Sequence, residues 1–256
     1  MKYGILTVVQ FGMNLEAAMT ETQENLPGQS VEDYLKAIYH MEFEGRTANT
    51  ADLASRLHVS APAVSKMLRR MTELQLVEHT PYHAVQLTDR GRKVALEIIR
   101  HHRLLERYLV DALGYSWEEV HAEAERLEHH ISEDFESRID DLLGHPTTCP
   151  HGAPIPSRDL EVMPSASRPL GEMAVPGRYT VDHVVDEDPD LLRYLKERGL
   201  VPGSVVALLE REPFGGDFTA QVGQDIVRIA PKAAAQVFVL PSEEPIANYQ
   251  SKEQEE

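Results

Sequence analysis

Apolar residues first recur at helical spacing from Ser30, where Val31, Tyr34, Leu35, Ile38, Tyr39 and Met41 form one stripe that Gly45 ends. Thr50 is expected to cap a short helix over 51–57 carrying Leu53, Ala54 and Leu57. After a break at His58-Val59, Ser60 caps a second helix with Pro62 in its first turn, where a missing N–H costs nothing. That helix runs to about Leu74, with Val64, Met67, Leu68 and Met71 inward. Residues 76–79 and 84–87 then read as two short strands around the turn Thr80–His83, which contains Pro81. Helix, helix, short turn, helix, hairpin is the plan of a winged helix-turn-helix.

The pattern then changes. Thr88 opens a long helix to about Leu113, stopped by Gly114. Ser116 followed by Glu119 predicts a capping box for a helix reaching His130, and Ser132 caps another through Leu143. These three helices have broad apolar faces but too few residues to close a core alone, so dimerisation is expected. Residues 145–176 hold seven prolines and little periodicity, the pattern of a linker. From Arg178 strand alternation returns at Tyr179, Val181 and Val184, then a short helix over 190–198, then strands at 205–209, 218–222, 226–229 and 237–240. That order predicts a small SH3-like β-barrel. The predicted fold is mainly α with a small β component, and no internal repeats are visible. Its parts are a disordered extension (1–29), a winged helix-turn-helix domain (30–90), a helical metal-binding and dimerisation domain (91–145), a Pro-rich linker (146–176), an SH3-like domain (177–241) and an acidic tail (242–256).

Composition modifies this picture in three ways. The formal charge of −17 disfavours nucleic-acid binding as an average, but residues 30–90 carry 7 basic and 8 acidic groups. The excess acidity lies in 91–145 (7 against 13) and 146–256 (10 against 18), so a DNA-binding face remains open to the first segment. A single cysteine, Cys149, excludes an internal disulfide framework and fits a reducing cytoplasm. No run approaches the roughly 18 apolar residues that cross a bilayer. The first 13 residues also lack the cleavage site of a leader peptide, so no membrane partner is expected.

Two constellations carry chemistry. Ser60-Ala-Pro62-Ala63-Val-Ser65-Lys66-Met-Leu-Arg69-Arg70 has the shape of a recognition helix: small and hydroxyl residues permit close approach to a major groove, and the basic groups reach phosphates. An ordinary helical pair with a solvated basic face is the plain alternative. Further on, His121, Glu125, Glu128 and His129 fall on one face of a predicted helix, and the preceding helix offers His102 and Glu106 at i,i+4. Such like-charged groups repel unless a cation lies between them, although an acidic bundle with incidental histidines remains the alternative. Asp33, three residues after Ser30, could equally close a helix-start cap.

Together these segments resemble the diphtheria-toxin-repressor family, and its manganese-responsive, three-domain members in particular. The resemblance runs from about Ser30 to Leu240. It is carried by Ser30-Val-Glu-Asp33-Tyr-Leu-Lys-Ala-Ile-Tyr39, Ser60–Ser65, His102-Arg-Leu-Leu-Glu106-Arg, Val120–His129 and Thr148-Cys149-Pro-His151-Gly. It implies a primary metal site of Asp33, His102, Glu125, Glu128 and His129. It implies a secondary site of Glu106, Cys149 and His151 with a barrel carboxylate, Asp188, chosen from Asp186, Asp188 and Asp190. His121 matches a second-site ligand of the iron-responsive members. Those members place soft Met and Cys where this chain has Asp33 and Glu125, so the hard donor set points to Mn²⁺, with Fe²⁺ as the other candidate. The resemblance implies a cytoplasmic, homodimeric regulator, a repressor of metal-uptake genes that binds double-stranded operator DNA and needs no small organic ligand. The alternative is a carboxylate/His metalloenzyme on a helical bundle. The paired Glu-x-x-His spacing of di-metal oxidases, the His-Glu-x-x-His motif and a phosphate loop are all missing from the sequence, so no enzyme is expected.

Overall fold

A computed structural model describes residues 28–79, 84–185 and 187–242. Of the expected disordered extension over 1–29, residues 1–27 lie outside the described residues, as do the turn Thr80–His83, Asp186 and the tail beyond residue 242, whereas Gly28 and Gln29 cap and begin a helix. The chain divides into two compact units, Met1–Ala95 and Leu96–Glu256.

In the first unit α1 (Gln29–Phe43) starts on a backbone cap, with the Gly28 carbonyl accepting from Val31 N–H at 2.7 Å, and no side chain caps it. The expected Ser30 cap, and with it the capping role for Asp33, is therefore not formed. Helix α2 (Thr50–Arg56) is capped by Asn49, whose Oδ1 accepts from the amides of Ala51 (2.9 Å) and Asp52 (3.0 Å). Asn49 takes the role expected of Thr50, since asparagine ranks among the strongest caps. Helix α3 (Ala61–Glu73) begins as expected, on the Ser60 hydroxyl with Pro62 in its first turn. Leu35, Ile38, Met41, Leu53, Val64, Leu68, Met71 and Leu76 form the buried interior, and Met67 is only half-buried. Strands β1 (Val77–Glu78) and β2 (Gln86–Leu87) pair antiparallel, Val77 opposite Leu87, and Ala48 bridges Val85.

Helix α4 (Asp89–Leu113) starts where the Thr88 hydroxyl accepts from Gly91 N–H at 3.0 Å. A Cβ at Gly91 would lie 1.9 Å from the Leu76 carbonyl oxygen, so only glycine admits this close packing.

In the second unit, the later part of α4 packs with α5 (Val120–Leu127) and α6 (Glu133–Leu142) through Leu104, Leu105, Leu109, Val120, Ala124 and Ile139. Helix α5 is shorter than expected at both ends. The Ser116 hydroxyl donates to the Glu119 carboxylate (2.9 Å), not into a reciprocal capping box, so residues 117–119 form a turn. At the other end an i→i−3 bond from His130 N–H to the Leu127 carbonyl tightens and closes the helix. Ser132 caps α6 as expected, accepting from Phe135 N–H.

The Pro-rich stretch is a linker only in part. Cys149, Ala153 and Ile155 are buried in the helical core, and Arg100 and Arg103 donate to the carbonyls of Pro156 and Pro154. Residues 147–155 are thus structural parts of the helical region. Without helical or strand period, their burial leaves no pattern in the sequence.

The C-terminal region is antiparallel, in the order β3-β8-β4-β5-β6-β7: β3 (Arg168–Pro169), β4 (Gly177–Val184), β5 (Val205–Arg211), β6 (Phe218–Val222), β7 (Asp225–Ile229) and β8 (Val237–Pro241). Helices α7 (Pro189–Glu197) and α8 (Pro231–Ala234) interrupt it. Bulges between Val181 and His183 and between Leu208 and Glu210 bend the sheet around a core of Leu170, Leu192, Leu195, Val206, Phe218 and Val237. The SH3-like expectation holds for its strands. Among the described residues no hydrogen-bonded ladder joins β3 to β7.

Candidate metal centre and DNA-binding helix

Helix α3 buries Val64, Leu68 and Met71 and turns its other face to solvent. Ser60, Pro62, Ala63, Lys66, Arg69 and Arg70 are exposed and Ser65 is half-buried. The Ser65 hydroxyl donates back to the Ala61 carbonyl at 3.1 Å, and Arg69 Nε to the Ser65 carbonyl at 3.4 Å. A smooth, uncharged first turn followed by three cations suits a helix end that enters a groove while its flank meets phosphates. All seven residues singled out in the sequence lie on or at the start of this one helix.

The second unit is built the other way, with its charges inside. On α4, one turn apart, stand His102 and Glu106, 6 % and 0 % exposed. His102 Nε2 lies 3.1 Å from Glu106 Oε1 and 3.1 Å from His121 Nδ1 on α5. Its Nδ1 contacts the Glu128 carboxylate closely and lies 3.5 Å from Glu125 Oε2. Glu128 is the C-cap of α5 and is fully buried, and Glu125 keeps 43 % of its side chain exposed. His129 lies beyond the helix end, its Nε2 3.4 Å from Glu128 Oε1. The single face expected of α5 therefore holds for His121 and Glu125, while Glu128 and His129 are placed by the turn that follows.

A second set meets at the other oxygen of Glu106. His151 Nδ1 is 3.5 Å from Glu106 Oε2, and Cys149 brings its sulfur into the same group, all three residues being buried. His151 Nε2 donates to the Trp117 carbonyl at 2.8 Å, which fixes the tautomer and leaves the Nδ1 lone pair aimed at Glu106. This is the outer-sphere arrangement that orients metal-binding imidazoles. Next to it, a Cβ at Gly152 (φ +88°) would lie 2.2 Å from the Asp182 carbonyl oxygen, and Val184 N–H donates to the His151 carbonyl at 3.0 Å, so β4 backs this loop. The Trp117 carbonyl is a contributor that residue types cannot reveal, because the acting group is main chain.

The electrostatics are unusual. Burial by itself would raise the Glu106 carboxyl, yet the His102 charge and the hydrogen bonds of His102 and His121 hold it well below the usual glutamate range. Glu106 Oε2 is nevertheless buried with no hydrogen bond. Both His102 nitrogens face carboxylates, and Nε2 also approaches a second imidazole nitrogen. Converging lone pairs of this kind are satisfied by a cation. The donor set fits a divalent metal.

Two further expected ligands, Asp33 and Asp188, are described by their own surroundings. Asp33 lies on α1 in the first unit and is half-buried. Asp188 is spent locally: its Oδ1 accepts from the amides of Asp190 (2.9 Å) and Leu191 (3.3 Å) as the N-cap of α7, and it is exposed. An Asp-Pro pair before an apolar run is itself a helix-start signal, and that reading explains this residue here.

A winged-helix unit joined to a helical unit with an internal metal-ligand cluster defines a metal-responsive DNA-binding protein. Comparison with known proteins agrees. Residues 28–85 match the family described as "Iron dependent repressor, N-terminal DNA binding domain", residues 88–157 "Iron dependent repressor, metal binding and dimerisation domain", and residues 168–241 "FeoA domain". The iron-dependent repressor IdeR of Mycobacterium leprae (strain TN) is 40% identical over 223 residues, 82% of this chain and 96% of the relative. The diphtheria toxin repressor of Corynebacterium diphtheriae is 39% identical over 153 residues, 60% of this chain and 66% of that protein. A solved manganese-dependent transcriptional repressor in complex with manganese superposes with a TM-score of 0.79 at 39% identity, covering 83% of this chain and all of the other. The chain belongs to the iron-dependent repressor family, whose members are metal-dependent transcriptional repressors and not enzymes. The second matched family also places the stretch through residue 157 with the helical domain, as its burial does.

Proposed function

We propose that this protein is a homodimeric, Mn²⁺-activated repressor that binds double-stranded operator DNA in the cytoplasm and controls metal-uptake genes. The observation that carries the metal reading is the crowding of Glu106, His121, Glu125 and Glu128 around one buried imidazole, His102. Asp33, His102, Glu125, Glu128 and His129 would hold the activating ion. Glu106, Cys149 and His151 would hold a second, with His121 placed to serve either Glu106 or His102. Bound there, the metal supplies charge neutralisation and fixed ligand angles. Asp33 belongs to the DNA-binding unit and the other primary ligands to the helical unit, so a shared ion would set how recognition helices are presented to half-sites about 34 Å apart.

The hard carboxylate-and-imidazole set at Asp33 and Glu125 favours Mn²⁺, the weakest binder of the divalent series, which must be selected by geometry. Fe²⁺ is the second reading, supported by the iron-dependent relatives. The test is fluorescence anisotropy on the protein's own promoter DNA, titrated with Mn²⁺, anaerobic Fe²⁺ and Zn²⁺ at one salt concentration. A steep Mn²⁺-dependent gain in affinity that Asp33→Ala and Glu125→Ala abolish is expected. A full response in both variants sinks the shared-ion idea. Cys149→Ala should weaken activation without removing it, and unchanged metal stoichiometry in that variant argues against the second site.

A further inference from the structure

His101, one residue before His102, faces a different group of carboxylates. It is 6 % exposed, and its Nδ1 lies 3.2 Å from the Glu128 backbone carbonyl. A carbonyl only accepts, so Nδ1 carries the proton and donates. Nε2 is buried and makes no hydrogen bond. Glu136 Oε2 approaches it at 2.9 Å, without the alignment of a hydrogen bond, and Glu133 Oε1 lies at 4.0 Å. The other Glu136 oxygen is held by Arg100 Nε at 2.6 Å. Glu97, one turn before His101 on α4, completes a set in which one donor atom each of Glu97, His101 and Glu133 lies within 4.8 Å of the others. Burial first, and then the hydrogen bond and charge of Glu133, push the Glu97 carboxyl up, which is the signature of two carboxylates crowded together. The Glu133 side chain is 77% exposed, giving an ion a way in.

An imidazole fixed at Nδ1 by a main-chain carbonyl, with a buried Nε2 aimed among carboxylates, is the arrangement of a metal ligand. We propose that Glu97, His101 and Glu133 form a third divalent-cation site, separate from the groups around His102, that takes a borderline transition ion and binds Zn²⁺ more tightly than Mn²⁺. One imidazole and two carboxylates leave an open coordination position, as in three-ligand zinc sites, and Zn²⁺ stands above Mn²⁺ for such donors. The rival account is an imidazolium paired off-axis with Glu136.

Equilibrium dialysis of the full-length protein against Zn²⁺, with metal per chain counted by mass spectrometry, separates the two. Glu97→Gln/Glu133→Gln is expected to hold one Zn²⁺ fewer per chain while keeping Mn²⁺-dependent DNA binding. Glu125→Ala/Cys149→Ala, which disables the groups around His102 and Glu106, should retain one equivalent that disappears when the Glu97 and Glu133 changes are added. Glu133→Gln alone, at an exposed position, should weaken that equivalent about tenfold or more, and it decides the matter if the double variant fails to fold. Equal Zn²⁺ content and affinity in wild type and Glu133→Gln would overturn the site and leave the ion-pair account.

Discussion

Helix α3 in the first unit and helix α4 in the second solve opposite problems with the same amino acids. On α3 the charged residues Lys66, Arg69 and Arg70 are exposed and the buried positions are purely apolar, so folding and recognition use different faces. On α4 the buried face itself carries Arg100, His101, His102 and Glu106. Function there is written into the core, and the fold is sound only where each buried charge has a partner or a cation. The contrast teaches that substitutions on α3 separate binding from stability, whereas substitutions on α4 change both at once.

The sharpest way to break that contrast is at Arg100, which holds Glu136 (2.6 Å) and Asp140 (2.9 Å) in the interior. Arg100→Met removes the cation that bridges two buried carboxylates and should cost about 3–5 kcal/mol in denaturant unfolding of the metal-free protein. A loss under about 1 kcal/mol would mean that the network is solvated like a surface pair. An apolar comparison in the other unit is Leu68→Ala, expected to cost about 2–5 kcal/mol because Leu68 is completely buried.

A smaller, pH-dependent effect belongs to Asp140. Burial would raise its carboxyl, but hydrogen bonds from His145 and Arg158 and the Arg100 charge outweigh it and hold the carboxyl below its ordinary 3.8. A depressed folded-state value contributes stability that is present above that ordinary value and is lost as pH falls through the folded one. Asp140→Asn should therefore flatten the acid limb of the thermal-stability profile, and an unchanged limb would remove Asp140 as its cause. The smallest change in stability is expected for Lys66→Ala, within about 0.5 kcal/mol of wild type. Its effect should appear instead as a DNA-affinity salt slope lower by about 0.9 if Lys66 meets one phosphate. An unaltered slope would take Lys66 off the DNA.

Much of this architecture was legible in the residues. The stripe from Val31 to Met41, the Ser60-Pro62 helix start and the paired His102/Glu106 spacing each follow from local periodicity and capping chemistry, which act within one or two turns. The boundaries were less so. Asn49 displaced Thr50 as a cap, and Ser116 bonded to Glu119 in place of the amides, because several polar groups compete for the same few backbone donors and geometry chooses among them.

Sequence by itself determined the kinds of element, their order and the donor chemistry of the metal groups. Tertiary structure alone decided which donors meet. It buried Cys149, Ala153 and Ile155 in the helical core, oriented His151 through a main-chain carbonyl, and turned His101 away from His102 toward Glu97 and Glu133. The reason is physical: periodicity records which side of an element faces inward, while the meeting of two buried polar atoms depends on distances between segments far apart in the chain, set by packing and by carbonyls that every residue shares.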